Sequence, residues 1–114
     1  MEEFSTRQNK ISRLIQKEMA EYFQKESRNY FKGKLISVTT VRITRDLGIA
    51  RVYLSIFPTD GTDEILKQIK QMTRQIRGSL GKKIGKQLRI VPKLEFYIDD
   101  SLDYINNIDE LLNN

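Results

Sequence analysis

Two runs of cations recur at helical spacing. Lys67, Lys70, Arg74 and Arg77 repeat with steps of three, four and three, and Lys82, Lys83, Lys86 and Arg89 follow them. Arg7, Lys10, Arg13 and Lys17 repeat the pattern near the N-terminus. On a helix these steps keep side chains on one face, and cations on a rigid face neutralise phosphates, the chemistry that underlies nucleic-acid binding. Other chemistry has little to draw on. The chain has no histidine and no cysteine, which removes the commonest general base, the commonest metal ligand, thiolate sites and disulfides. Only Asp, Glu, Lys and Tyr remain for proton transfer near neutral pH. The expectation is a protein that is not an enzyme and carries no cofactor and no metal.

Three motifs were weighed against that reading. Gly78, Ser79, Leu80 and Gly81 spell GxxG, the loop by which KH domains clamp a nucleic-acid backbone. The pattern is short, and Leu80 continues an apolar stripe, so glycines that bend or pack a helix explain it as well. Asp99, Ser101, Asp103, Asn107 and Glu110 fall at ligand positions of a calcium loop, but Tyr104 stands where the sharp turn requires glycine. Acidic residues at a helix start are explained by capping and the macrodipole. A P-loop is excluded, because Lys82 is followed by Lys83 and Ile76 occupies the position of its first glycine.

A chain of 114 residues suits one domain around one core. Its hydrophobic fraction of 39% and charged fraction of 31% are those of a globular protein, and no apolar run approaches the roughly 20 residues of a membrane span. The start, with Glu2 and Glu3, does not read as a signal peptide, so a cytoplasmic protein without a membrane partner is expected. The net charge of +5 hides a segregation: all 20 basic residues precede Asp99, while five of the 15 acidic residues lie from Asp99 to Glu110. A strongly basic body with cations at helical spacing is the electrostatic footprint of a nucleic-acid binder.

The elements that must hold these cations follow from periodicity. Ile11, Leu14, Ile15, Met19, Tyr22 and Phe23 mark one side of a helix from about Ser5 to Lys25, capped by Ser5 or Thr6. Residues 26–34 read as a polar loop in which Tyr30 and Phe31 pack under that helix. Leu35 to Thr44 reads as a strand whose apolar phase slips between Val38 and Val41, the mark of a bulge. Arg45 to Gly48 supplies a turn, and Ile49 to Phe57 alternates as the return strand. Thr62 is placed to cap a second helical stretch carrying Ile65, Leu66, Ile69, Met72, Ile76, Leu80 and Ile84. Gly78, Gly81 and Gly85 make one straight helix doubtful, and a bend or two helices is expected. Alternation from Leu88 to Ile98 predicts a third strand, at an edge or bulged because Pro92 lies inside it. Ser101 can cap a short acidic helix over 101–114. The order is helix, strand, strand, helix, helix, strand, helix.

Three segments carry a family resemblance: TRDLGIARVYL from Thr44 to Leu54, LRIVPKLEFYIDDSLDY from Leu88 to Tyr104, and RQNKISRLIQKE from Arg7 to Glu18. Together they resemble the ribosome-binding factor A family of bacteria over essentially the whole chain. The resemblance implies an α+β, type II KH-like domain over 1–114 with a three-stranded sheet and 101–114 as an acidic C-terminal helix or tail. It also implies that a kinked junction between the two central helices replaces the KH glycine loop. Alignment puts that junction near Met72, Thr73 and Arg74, where this chain lacks the family's alanine and glycine; the other position is Gly78.

In function the resemblance implies a non-catalytic factor of the immature 30S small ribosomal subunit and its 16S rRNA. It implies a part in late maturation, in processing near the 5′ end and in growth in the cold. The residues taken to contact rRNA are Arg74, Arg77, Lys82, Lys83, Lys86 and Arg89, with Arg7, Lys10, Arg13 and Arg45 as a second group. A monomer is expected, since no dimer surface is evident. The competing classes are a helix-borne regulator of duplex DNA and a Mg²⁺ enzyme built on Asp99, Asp100 and Asp103.

Overall fold

The computed structural model describes residues 5–99. Its elements are α1 (Thr6–Tyr30), β1 (Leu35–Ile43), β2 (Ile49–Phe57), α2 (Thr62–Gln71), α3 (Thr73–Ile84) and β3 (Lys93–Ile98). This is the α-β-β-α-α-β order that the resemblance implies. The acidic helix expected over 101–114 lies outside the described residues, as do two of the three aspartates in the metal reading.

The sheet has the order β1-β2-β3, with β1 and β2 antiparallel and β2 and β3 parallel. Period-two alternation buries Ala50, Val52, Leu54 and Ile56 of β2 on one face. The β1–β2 register slips between Val38 and Thr40, so the expected bulge is present and lets Ile36, Val38, Val41 and Ile43 all reach the core. The three helices cover this face. α1 lies over β1, and Phe23 sits edge-on to Phe96 of β3 with ring centroids 6.1 Å apart.

The first helix runs five residues further than periodicity predicts. Met19, Phe23, Ser27 and Phe31 continue the buried stripe in steps of four, and the Phe23 and Phe31 rings lie 5.8 Å apart. Ser27 disguises the stripe in the sequence. Its hydroxyl donates to the Lys34 carbonyl, which satisfies a polar group inside the core. The N-terminus follows expectation: Ser5 accepts from the Gln8 amide N–H and the Gln8 side chain accepts from the Ser5 N–H, a complete capping box. Thr62, by contrast, does not cap α2. Gly61 occupies the N-cap position at φ +73°, and the Thr62 hydroxyl donates back to the Thr59 carbonyl at 2.6 Å.

The central helical stretch breaks at Met72. The Met72 N–H is shared between the Gln68 and Ile69 carbonyls, each at 3.0 Å. The Thr73 hydroxyl donates to the Lys70 carbonyl at 2.8 Å, so a side chain supplies one of the partners that α2 lacks at its end. Gly78 and Gly81 therefore sit inside α3, and GxxG is not a loop here. The third strand is shorter than the predicted eleven residues: β3 starts at Lys93, and Ile90, which alternation would bury, is 73% exposed. Pro92 has no N–H to offer a ladder, and the Val91 and Pro92 carbonyls are taken by Arg77 of α3.

The position of the break predicts the effect of one substitution. A Cβ built on Gly78 meets nothing within 4 Å. Gly78→Ala is expected to raise stability by about 0.4–1 kcal/mol, by narrowing the unfolded ensemble and favouring helix. A lower urea midpoint would instead place a loop at Gly78.

Candidate nucleic-acid interface

Long-range contacts bring three basic segments to one end of the molecule. Gln8 donates from Nε2 to the Ile43 carbonyl at 3.1 Å, which seats the start of α1 beside the end of β1. The Lys93 N–H donates to the Gly48 carbonyl at 2.9 Å, which seats the segment entering β3 beside the β1–β2 turn. Arg7, Lys10, Arg13 and Lys17 of α1 then line a groove of about 600 Å³ with Gln87 and Leu88, which follow α3. Lys86 and Arg89 flank Gln87 and Leu88 in the chain, and Arg45 stands on the turn. All of these cations are exposed. None of Arg7, Lys10, Arg13, Arg45, Lys86 and Arg89 is ion-paired among the described residues. They are available to phosphates.

The turn that carries Arg45 is held by its own hydrogen bonds. Asp46 Oδ1 accepts from the Thr44 hydroxyl at 2.7 Å and from the Gly48 N–H at 3.0 Å. The Thr44 Oγ1 in turn accepts from the Ile49 N–H at 3.0 Å. The Thr44 hydroxyl, and after it the Gly48 N–H, hold the Asp46 carboxyl below its usual range. Leu47 adopts φ +63°, the left-handed conformation that closes the turn.

The remaining expected contacts divide. Lys82 is exposed on α3, and Arg74 stands two residues past the break at Met72. Ten positions separate Arg74 from Ile84, the last residue of α3, about 15 Å at helical rise, so Arg74 stands apart from the basic end. Lys83 lies in a small cleft of about 110 Å³ between α1 and α3, together with Glu18, Glu21 and Glu26. Lys25 lines the same cleft, so three carboxylates there stand against two ammonium groups. The Tyr22 hydroxyl in the same cleft has no hydrogen-bond partner among the described residues, and burial, followed by Glu26 and Tyr30, raises its pKa.

Arg77 is used by the fold. Its Nε donates to the Pro92 carbonyl at 3.0 Å and its Nη2 to the Val91 carbonyl at 2.6 Å. Its position in the cation run suggests a phosphate contact, but its guanidinium pins the segment that enters β3. Reasoning from spacing also left out the groove floor, Ile11, Leu14 and Leu88, and Gln87 beside it. Lys17 shares the spacing of Arg13 and was the one legible addition. On the sheet's other face, Tyr53 and Tyr97 stack 5.4 Å apart, and Arg51 pairs with Glu95 at 3.3 Å. The Tyr97 hydroxyl donates to Glu95, lowering the Glu95 carboxyl and raising the Tyr97 phenol.

Two outcomes separate structural from binding roles. Arg77→Ala is expected to lower stability by about 1–3 kcal/mol through two lost charge-assisted hydrogen bonds, whereas Lys82→Ala stays within about 0.5 kcal/mol; urea melts report both. Asp46 has a depressed folded pKa, so its charge stabilises the turn above its unfolded value of about 3.9, and that contribution is lost as pH falls through the folded value. Asp46→Asn should therefore be less stable than the parent at pH near 6, with the difference closing as acid protonates the parent's carboxylate.

Comparison with known proteins agrees with this fold. The sequence model of the ribosome-binding factor A family matches residues 7–112. Ribosome-binding factor A of Cytophaga hutchinsonii is 49% identical over 108 residues, covering 95% of this chain and 81% of that protein. The crystal structure of ribosome-binding factor A from Thermus thermophilus superposes with a TM-score of 0.68 at 20% identity, covering 82% of this chain and 98% of the other. A homology model of the Thermus protein, fitted into the cryo-EM map of a 30S–RbfA complex, matches with a TM-score of 0.57 at 26% identity over 74% of this chain and 86% of that one. The shared architecture is KH-like. This chain belongs to the ribosome-binding factor A family.

Proposed function

We propose that this protein is a non-catalytic assembly factor that binds the free, immature 30S subunit through its 16S rRNA. On this reading it aids late maturation and processing near the 5′ end, supports growth in the cold, and leaves before translation. It works as a cytoplasmic monomer, one domain over 1–114 with 101–114 as an acidic appendage. The observation that carries the reading is the basic end, where Arg7, Lys10, Arg13, Arg45, Lys86 and Arg89 converge from three segments. Family membership supports it, as does the 30S complex in which the Thermus relative was placed. Arg74 and Lys82, exposed at separate positions on α3, are weaker contacts outside that end. Arg77 and Lys83 drop out, one committed to the Val91 and Pro92 carbonyls and the other facing carboxylates.

Convergence matters because phosphates along a strand repeat, and binding strength grows with the number met at once. Each contact releases counterions, so with six to eight contacts the binding constant falls with salt at a log–log slope of about −0.7 to −0.9 per contact. Duplex DNA reading is disfavoured by the same geometry. The cations are spread over α1, the corner after α3 and the β1–β2 turn, so a single helix laid in a major groove would engage only part of them.

Co-sedimentation with mature and immature small subunits and with full ribosomes, across a salt series, tests the reading. Salt-sensitive binding selective for free small subunits is expected. Lys10→Glu combined with Lys86→Glu should weaken it and reduce the slope by roughly two contacts, without lowering the urea midpoint. Equal binding to every RNA, or none, would reduce the protein to an unspecific basic module.

A further inference from the structure

We infer that the groove between the first half of α1 and the segment after α3 takes one unpaired nucleotide of single-stranded RNA. The base lies on the floor and its flanking phosphates meet the cationic rim. The inference rests on the RNA-binding reading and adds to it a base-holding site.

The first argument is the floor. Phosphate contacts need only cations on a surface, yet here Ile11 and Leu88, each 6% exposed, and the half-buried Leu14 line the space between the cations. Apolar surface of this kind does nothing for a phosphate and favours the flat face of a base. Paired bases cannot present that face. In an A-form helix the bases are stacked and the major groove is too deep and narrow for side chains, so base recognition falls to unpaired nucleotides.

Size and charge agree. The groove's volume of about 600 Å³ falls within the roughly 300–1,000 Å³ of small-ligand sites. Arg7, Lys10, Arg13 and Lys17 line it, and among the described residues none of its lining is acidic. The next cleft along α1 sets Glu18, Glu21 and Glu26 against Lys25 and Lys83, so the groove is the more positive of the two and the better place for a negative strand. Gln87, exposed beside Leu88, offers both an amide donor and a carbonyl acceptor. This is the complement of a base edge and not of a phosphate, which only accepts.

The site differs from a GxxG clamp. It lies at the far end of α3 from the Met72 break, and its parts come from α1 and the 84–89 corner.

Base and phosphate contributions separate when the base alone is removed. The full chain is titrated with a fluorescent, mixed-sequence RNA of about twelve nucleotides, within the usual range of single-strand site sizes. The same RNA with internal abasic linkers and a duplex of equal length are titrated beside it. The intact single strand should bind at least about tenfold more tightly than the abasic one, equivalent to roughly 1.4 kcal/mol, with the same salt slope. Gln87→Ala and, separately, Leu14→Ala should shrink that ratio toward unity while preserving the slope and the circular dichroism spectrum. Lys10→Gln should lower the slope and leave the ratio unchanged.

Equal binding of intact and abasic strands, or binding of the duplex as tight as that of the single strand, overturns the base-holding site and leaves the phosphate reading standing. A ratio unmoved by both groove variants overturns it as well, by placing the base elsewhere. Absence of binding to all three probes overturns the site, while co-sedimentation with small subunits reports separately on the wider function.

Discussion

Arg77 of α3 holds the carbonyls of Val91 and Pro92, and the basic end depends on that hold. Pro92 cannot donate to a strand, so the chain entering β3 has carbonyls to satisfy and one amide too few to pair them as a sheet. A planar guanidinium presenting two parallel N–H groups solves the problem from outside the sheet. Once those carbonyls are fixed, Lys93 can open its ladder beside Gly48, Leu88 turns inward at the end of α3, and Ile90 is left in solvent. The parallel pairing of β2 and β3, which needs a long crossover, is thereby completed by the α2–α3 pair and its Arg77 anchor.

The break at Met72 serves the same crossover. Ile65 and Ile69 of α2, and Ile76, Leu80 and Ile84 of α3, are all buried. The break divides one apolar stripe into two, and both helices pack on β3. Thr73 closes α2 by donating to Lys70, so no glycine is required there. That explains how this chain forms the junction without the alanine and glycine that the family resemblance leads one to expect.

Charge is sorted along the α1–α3 pair. Its one end carries Arg7, Lys10, Arg13 and Lys17, with Lys86 and Arg89 nearby; further along lie Glu18, Glu21 and Glu26. Cations gathered at one end set up a local field stronger than a net charge of +5 suggests. In the cleft between α1 and α3 those carboxylates stand beside Lys25 and Lys83 and offset their charge. The opposite face of the sheet has its Arg51 paired with Glu95 and its tyrosines stacked on each other.

Periodicity alone determined most of the elements. Both β-hairpin strands, the bulge after Val38, the Ser5 cap and the apolar stripe of α2 and α3 are local patterns, because a strand repeats every two residues and a helix every 3.6. The exposure of the cations was equally legible, since their spacing sets them off the apolar face. What only the tertiary structure decided was which of these faces meet. Ser27 reads as polar until Phe31 is seen in the core, and Arg77 reads as one more surface cation until Val91 and Pro92 are brought to it. That Lys83 shares a cleft with Glu18, Glu21 and Glu26 is visible only once α1 packs beside α3. The groove of Ile11, Leu14 and Leu88 joins residues more than seventy positions apart. Spacing along a chain reports which side of its own element a residue occupies. The partner opposite is chosen by long-range burial and by the need to satisfy backbone groups, and neither is written in the local pattern.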